Sequence, residues 1–165
     1  MKFIKGALIF LPFLTNALRG QSSSTELRTY IPGDSPIDTC TSPAPDTDLI
    51  FIDSVSISPN PPERGQNLTI TASGTVKEDI LEGAYVEIDV KYGLIRLIHQ
   101  TLDLCEQTEK VDLACPIKEG QVSLERVVEL PQAIPPGKYT VNARVFTSDD
   151  REVTCLVARV AFGVK

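Results

Sequence analysis

The sequence predicts an all-β domain, a two-sheet immunoglobulin-like β-sandwich, on three observations. Apolar and polar residues alternate with a period of two through most of the chain. Twelve prolines and ten glycines cut that pattern into short pieces, as turns between strands do. No long segment carries helical periodicity. Six or seven short strands result, at the spacing of a sandwich. With 165 residues, 42% hydrophobic and 23% charged, the chain suits one domain with a real core.

The first twenty residues are set apart. Lys2 and Lys5 give a basic start, Ala7 to Leu14 is apolar apart from Pro12, and small residues follow at Ala17 and Gly20. This predicts a secretory signal peptide over 1–20, too short in its apolar part to span a bilayer. Lys2, Lys5 and Arg19 leave with it, taking the formal net charge from −6 to −9. So acidic a chain is repelled by phosphate backbones, which excludes nucleic acid as a partner. Residues 21–37 are polar and aperiodic and read as a propeptide or a disordered N-terminal arm. The folded domain is expected over 38–165.

Leu49 to Ile57 opens the strand pattern. Ile50 and Ile52 slip by one to Val55 and Ile57, which predicts a bulge. Pro59 to Pro62 stop the strand and Arg64-Gly65 turns the chain. Leu68, Ile70, Ala72, Gly74 and Val76 then alternate with polar residues. Asn67-Leu68-Thr69 at the start of that strand is an N-glycosylation acceptor, with Asn67 the modified residue. Ala84, Val86, Ile88 and Val90 repeat the alternation until Gly93 breaks it. Cys105 and Cys115 bracket a polar loop, and Gln121 to Leu130 is a further strand. Tyr139, Val141, Ala143 and Val145 alternate inward, Ser148 to Arg151 turn, and a last strand runs from Glu152 to Phe162.

Two segments depart from this order. Leu94–Ile98 is apolar on both faces of the pleat, and Ala133–Pro136 is an apolar loop. An exposed apolar patch usually has a partner, although periodicity alone also allows Leu94–Ile98 to be covered by a neighbouring strand. Lys91 and Arg96 nearby read as solvated charges, and His99 as a surface strand residue. A nucleophilic triad would have to use His99, the one histidine, and no Gly-rich phosphate loop is present. The chain therefore reads as a non-enzyme without cofactor or metal. Cys40, Cys105, Cys115 and Cys155 are too widely spaced for zinc. In a secreted chain they predict two disulfides, in one of three connectivities.

From Cys40 onward the chain resembles the ML lipid-recognition family, the fold of the small soluble Niemann-Pick type C sterol carriers. Within it, the chain is most similar to the fungal phosphatidylglycerol/phosphatidylinositol transfer proteins. The resemblance is carried by VSISPNPPERGQNLTI (55–70), VEIDVKYGLIRLIHQTLDLC (86–105), ACPIKEG (114–120) and PPGKYTVNARVFTSDDREVTCLVARV (135–160). It implies sheets splayed around a lipid, with Cys40 paired to Cys155 and Cys105 to Cys115. It also implies an entrance rim of Ile95 and Leu97 facing Ala133, Ile134 and Pro135. Tunnel walls would be Val86, Ile88, Val90, Tyr139, Val141, Val145, Leu156 and Val160. The sterol carriers hold a further small disulfide with one cysteine where Asn60 stands here, and their mouth loop is richer in proline and phenylalanine. The function implied is a monomeric carrier of a phospholipid or sterol, in brief contact with membranes, in a vacuolar or lysosome-like lumen or outside the cell. The alternative is an immunoglobulin-like recognition or adhesion module with a solid core.

Overall fold

The computed structural model describes residues 30–41 and 44–163. The segment expected to be a signal peptide and the first part of the expected arm lie outside the described residues. Eight strands and one short helix follow in order: β1 (Ile37–Thr39), β2 (Ile50–Ser58), β3 (Asn67–Val76), β4 (Tyr85–Tyr92), β5 (Ile95–Asp103), α1 (Leu104–Glu109), β6 (Gly120–Glu129), β7 (Gly137–Phe146) and β8 (Glu152–Phe162). They form two antiparallel sheets, one of five strands in the order β1-β8-β7-β4-β5 and one of three in the order β2-β3-β6.

Alternation dictates most of this. In β3 and β6 the register runs unbroken from Asn67 opposite Glu129 to Val76 opposite Gly120. The slip predicted in β2 is a bulge between Ile52 and Ser54, which keeps Ile50, Ile52, Val55 and Ile57 on one face. Tyr92 pairs with Ile95 across a two-residue turn. Gly93 supplies the positive φ (56°) which that turn needs at its first central residue.

The polar loop expected between Cys105 and Cys115 instead begins as α1. Asp103 caps it, its Oδ1 accepting the Glu106 N–H at 3.0 Å. Six residues are too few to nucleate a helix alone; the Cys105–Cys115 disulfide and the packing of Leu104 hold it in place.

The fold also takes in the last residues of the expected arm. Val55 N–H donates to the Pro32 carbonyl (2.8 Å) and Ile57 N–H to the Asp34 carbonyl (2.9 Å), along the free edge of β2. The chain then crosses to the other sheet, where Arg159 N–H donates to the Pro36 carbonyl (3.2 Å) and β1 pairs with β8. Residues 32–39 thus clasp one side of the sandwich, and the Cys40–Cys155 disulfide locks the clasp.

The two ends of the sandwich differ. At the end where β3 finishes and β4 begins, Val76, Ile80, Ala84, Ile117 and Val153 form a closed core. There the sheets are joined through the backbone, Leu49 N–H donating to the Val153 carbonyl (2.9 Å). Asp48 lies beside this junction, 4% exposed. Burial raises its carboxyl above the ordinary value, and the charge of Glu152 adds to the shift.

Candidate functional site

The register puts all eight expected wall residues on one face of the five-stranded sheet. Val86 lies opposite Val145 and Val90 opposite Val141. Tyr139 lies opposite Val160 and Ala143 opposite Leu156, with Ile88 joining the row through Ala143. Val145 packs on the closed core, which identifies this face as the inner one. The small sheet turns toward it Leu68, Ile70, Ala72 and Gly74 from β3, and Val122, Leu124, Arg126 and Val128 from β6.

Burial falls off along this interior. Val76 is 1% exposed and Ala84 0% at the closed end. Beyond them Val86 and Tyr139 are buried, but Ile88, Val90, Val141, Val145, Leu156, Val160, Leu124 and Val128 are only half-buried. In a solid sandwich the inner faces interdigitate at about 10 Å and bury every inward residue. Here most inward residues of β4, β7 and β8 stay partly exposed, while Val55, Ile57, Tyr139 and Phe162 are buried.

Geometry explains why one flank is open. β2 runs nearest β8, so three strands cover the β8, β7 and β4 region and β5 projects past the edge of the small sheet. Nearly every residue of β5 is exposed, on both faces. Leu94 is 102% exposed, Ile95 64%, Leu97 54% and Ile98 44%. Leu97 sits in a bulge between Arg96, opposite Lys91, and Ile98, opposite Val90. Among the described residues, no strand covers this segment.

The structure brings both expected rim segments to one residue. Tyr92 is the register partner of Ile95, and its hydroxyl donates to the Pro136 carbonyl (3.1 Å). Tyr139 donates to the Pro135 carbonyl (2.9 Å), and Arg64 reaches the Ile134 carbonyl (3.0 Å). Tyr92 and Tyr139 meet edge to face at 5.2 Å, and Phe162 joins Tyr139 at 5.6 Å. The loop carrying Ala133, Ile134 and Pro135 is therefore fastened to both sheets, with Ala133 and Pro135 exposed and Ile134 half-buried.

The outer face is charged and paired. Asp89 Oδ1 is 3.1 Å from Arg96 Nε and 3.1 Å from His99 Nδ1, so both side chains lie outside the sandwich. Asn67 is exposed at the first position of β3. Two residues escaped the sequence reading, Tyr92 beside the expected rim and Arg126 on the inner face, and Leu94, part of the apolar segment expected from sequence, takes the hairpin tip. Arg126 was findable, because it occupies the apolar phase of β6 while Val127 takes the polar one.

A separate cleft of about 310 Å³ opens on the clasped flank, lined by Ile31, Asp48, Ile50, Phe51, Ile52 and Lys77 among others. Ile50 and Ile52 pair with Val76 and Gly74, so this cleft belongs to the closed end, away from Tyr92 and Ile134.

A disulfide-stapled sandwich, solid at one end and open along one flank, is the architecture of a protein that holds an apolar ligand between its sheets. The ML domain family matches residues 34–162, and the chain belongs to it. It is 55% identical over 135 residues to the phosphatidylglycerol/phosphatidylinositol transfer protein of Candida albicans, covering 82% of this chain and 69% of that one. The protein of the same name from Yarrowia lipolytica is 58% identical over 132 residues (80% and 69%). That from Neurospora crassa is 53% identical over 148 (89% and 84%). Among solved structures, the fold is similar to a Niemann-Pick type C2 protein from Japanese carpenter ant (TM-score 0.53, 14% identity, 76% of this chain and 98% of that one). It is also similar to chicken MD-1 complexed with lipid IVa (0.51, 18%, 78% and 99%).

Proposed function

We propose that this protein is an intermembrane lipid carrier that takes a phospholipid, of the phosphatidylglycerol or phosphatidylinositol class, between its sheets and shuttles it without chemical conversion. The observation that carries the reading is the interior itself. Apolar residues line the inward phase of both sheets, and beyond the closed core most of those on the five-stranded sheet keep part of their surface exposed. The names of its relatives supply the headgroup class. Moving an acyl chain from bilayer to such an interior exchanges one apolar environment for another. Through water, the same chain costs about 0.8 kcal/mol per CH₂.

In this mechanism the exposed Leu94–Ile98 segment touches the membrane, Ile95, Leu97, Ala133, Ile134 and Pro135 border the entrance, and the tail slides along Val90, Val141, Val160 and Leu156. The headgroup stays toward the rim. Contact is brief, because an acidic monomer gains nothing electrostatically from an anionic surface. Two disulfides suit a secretory, vacuole-like or extracellular compartment, where Asn67 is positioned to carry a glycan.

Native mass spectrometry of the secreted protein tests the reading. A carrier arrives with lipid bound and exchanges it for fluorescent phospholipid supplied in vesicles. A chain that arrives free of lipid and takes up neither phospholipid nor sterol is not a carrier.

A further inference from the structure

Resting on that reading, we infer that Arg126 holds the phosphate of the carried lipid, so that the interior selects phosphate-bearing lipids over neutral ones. The register of β6 fixes where this side chain points. Its odd positions, Gln121 to Glu129, are exposed, and its even positions are half-buried. No bulge interrupts the pairing with β3, in which Arg126 stands opposite Ile70. Val122, in the same phase, packs on the closed core. Val127 carries the outward position next to Arg126 and is 56% exposed. The arginine is thus on the inner face by the same register that makes Leu124 and Val128 inner residues.

Among the described residues, Arg126 is also the one formal charge at the inward strand positions of both sheets. Those positions are otherwise aliphatic, aromatic, glycine, threonine or glutamine. Arg96, Arg144 and Arg151 pair with Asp89, Glu152 and Glu78 at 3.1, 2.6 and 2.6 Å. No described carboxylate or carbonyl engages Arg126. A half-buried guanidinium without a counter-charge is unfavourable in an apolar setting unless an anion joins it. Its five donors in a planar fork suit two phosphate oxygens at once.

The depth along the interior agrees. Arg126 and Ile70 lie one inward row inside Val128 and Leu68, the last inward pair before β3 begins at Asn67. A phosphate there sits near the entrance, with the tails directed toward Val76 and Ala84. The chain, acidic overall, thus carries a positive charge on this inner face, where a phosphodiester would arrive. Sterols and diacylglycerols have no group to use it.

The test compares phosphatidylglycerol with diacylglycerol bearing the same fluorescent acyl chain, titrated into wild type, Arg126→Gln and Arg126→Lys. Wild type is expected to prefer phosphatidylglycerol. Arg126→Gln is expected to lose roughly tenfold or more of that affinity while its diacylglycerol affinity holds. Arg126→Lys, which keeps the charge without the fork, should fall between them. Thermal unfolding of each variant should match wild type, since no side chain partner is lost. Unchanged phosphatidylglycerol binding by Arg126→Gln overturns the assignment and leaves the carrier reading standing. An equal drop for both lipids also overturns it, giving the arginine a packing role. Binding of neither lipid by wild type sinks the carrier reading and this inference with it.

Discussion

Leu94 is the sharpest place to perturb membrane contact, because nothing in the protein depends on it. It is 102% exposed at the tip of the β4–β5 turn, and a side chain placed at the adjacent Gly93 would meet no atom within 4 Å. Burying a fully exposed leucine in an apolar phase is worth about 1.5–3 kcal/mol. Weighted by their exposures, Leu94, Ile95, Leu97 and Ile98 together offer a bilayer on the order of 4–8 kcal/mol. Leu94→Asp removes the leucine share and adds a charge that must stay in water. Affinity for neutral phosphatidylcholine vesicles should therefore fall about 10- to 100-fold, with the inter-vesicle transfer rate falling alongside. Stability should stay within about 0.5 kcal/mol of wild type, as for surface substitutions generally. Vesicle flotation, a fluorescent transfer assay and a thermal melt measure the three quantities. Val127→Asp is the control: it is 56% exposed on the outer face of the small sheet, and should leave binding and transfer unaltered. If Leu94→Asp binds vesicles as wild type does, or if Val127→Asp loses as much, the hairpin is not the contact surface.

Three further outcomes are expected. Ile134→Asp puts a charge on the other side of the proposed entrance, on a loop whose backbone is held by Arg64, Tyr92 and Tyr139. Transfer should slow with little change in melting, and an unaltered rate would remove this loop from the entrance. Replacing Cys40 and Cys155 by alanine opens a link across 115 residues, against 10 for Cys105 and Cys115. Chain entropy gives about 4.8 and about 2.7 kcal/mol respectively, and equal losses in denaturant melts would contradict that ranking. Asp48→Asn removes a carboxyl whose folded value lies above its unfolded one. The stability such a group contributes is present in acid and is lost as pH rises through its folded value. The variant should therefore gain on wild type from mildly acid to neutral pH, and parallel melting profiles would show that Asp48 is not the source.

Much of the fold was legible because burial on one face imposes a period of two. Ile50–Ile52 slipping to Val55–Ile57 marked a real bulge, and the alternations around Ile70, Ile88 and Val141 marked real strands. Residues 32–36 were not legible: they bind β2 through backbone carbonyls, which leave no side-chain pattern. α1 was hidden for a related reason, since a cap, a disulfide and the packing of Leu104 hold a six-residue turn too short to show a helical period. The eight wall residues fell on one face because register follows alternation. Leu94–Ile98 could not be resolved from sequence, because an apolar run looks the same whether a neighbouring strand covers it or stops short. Arg126 was overlooked through its type, although its phase was plain.

The contrast between the ends of the sandwich has a consequence for how the molecule breathes. Amide protection should be greatest where Val76, Ala84 and Val153 interlock and where the Cys40–Cys155 staple ties the clasp. β5, paired on one edge only and uncovered on both faces, should exchange fastest. Local opening along β5 can then admit or release a long hydrocarbon while the opposite end stays intact. If β5 serves as the lid in this way, loading the protein should raise the amide protection of β5 before that of any other strand.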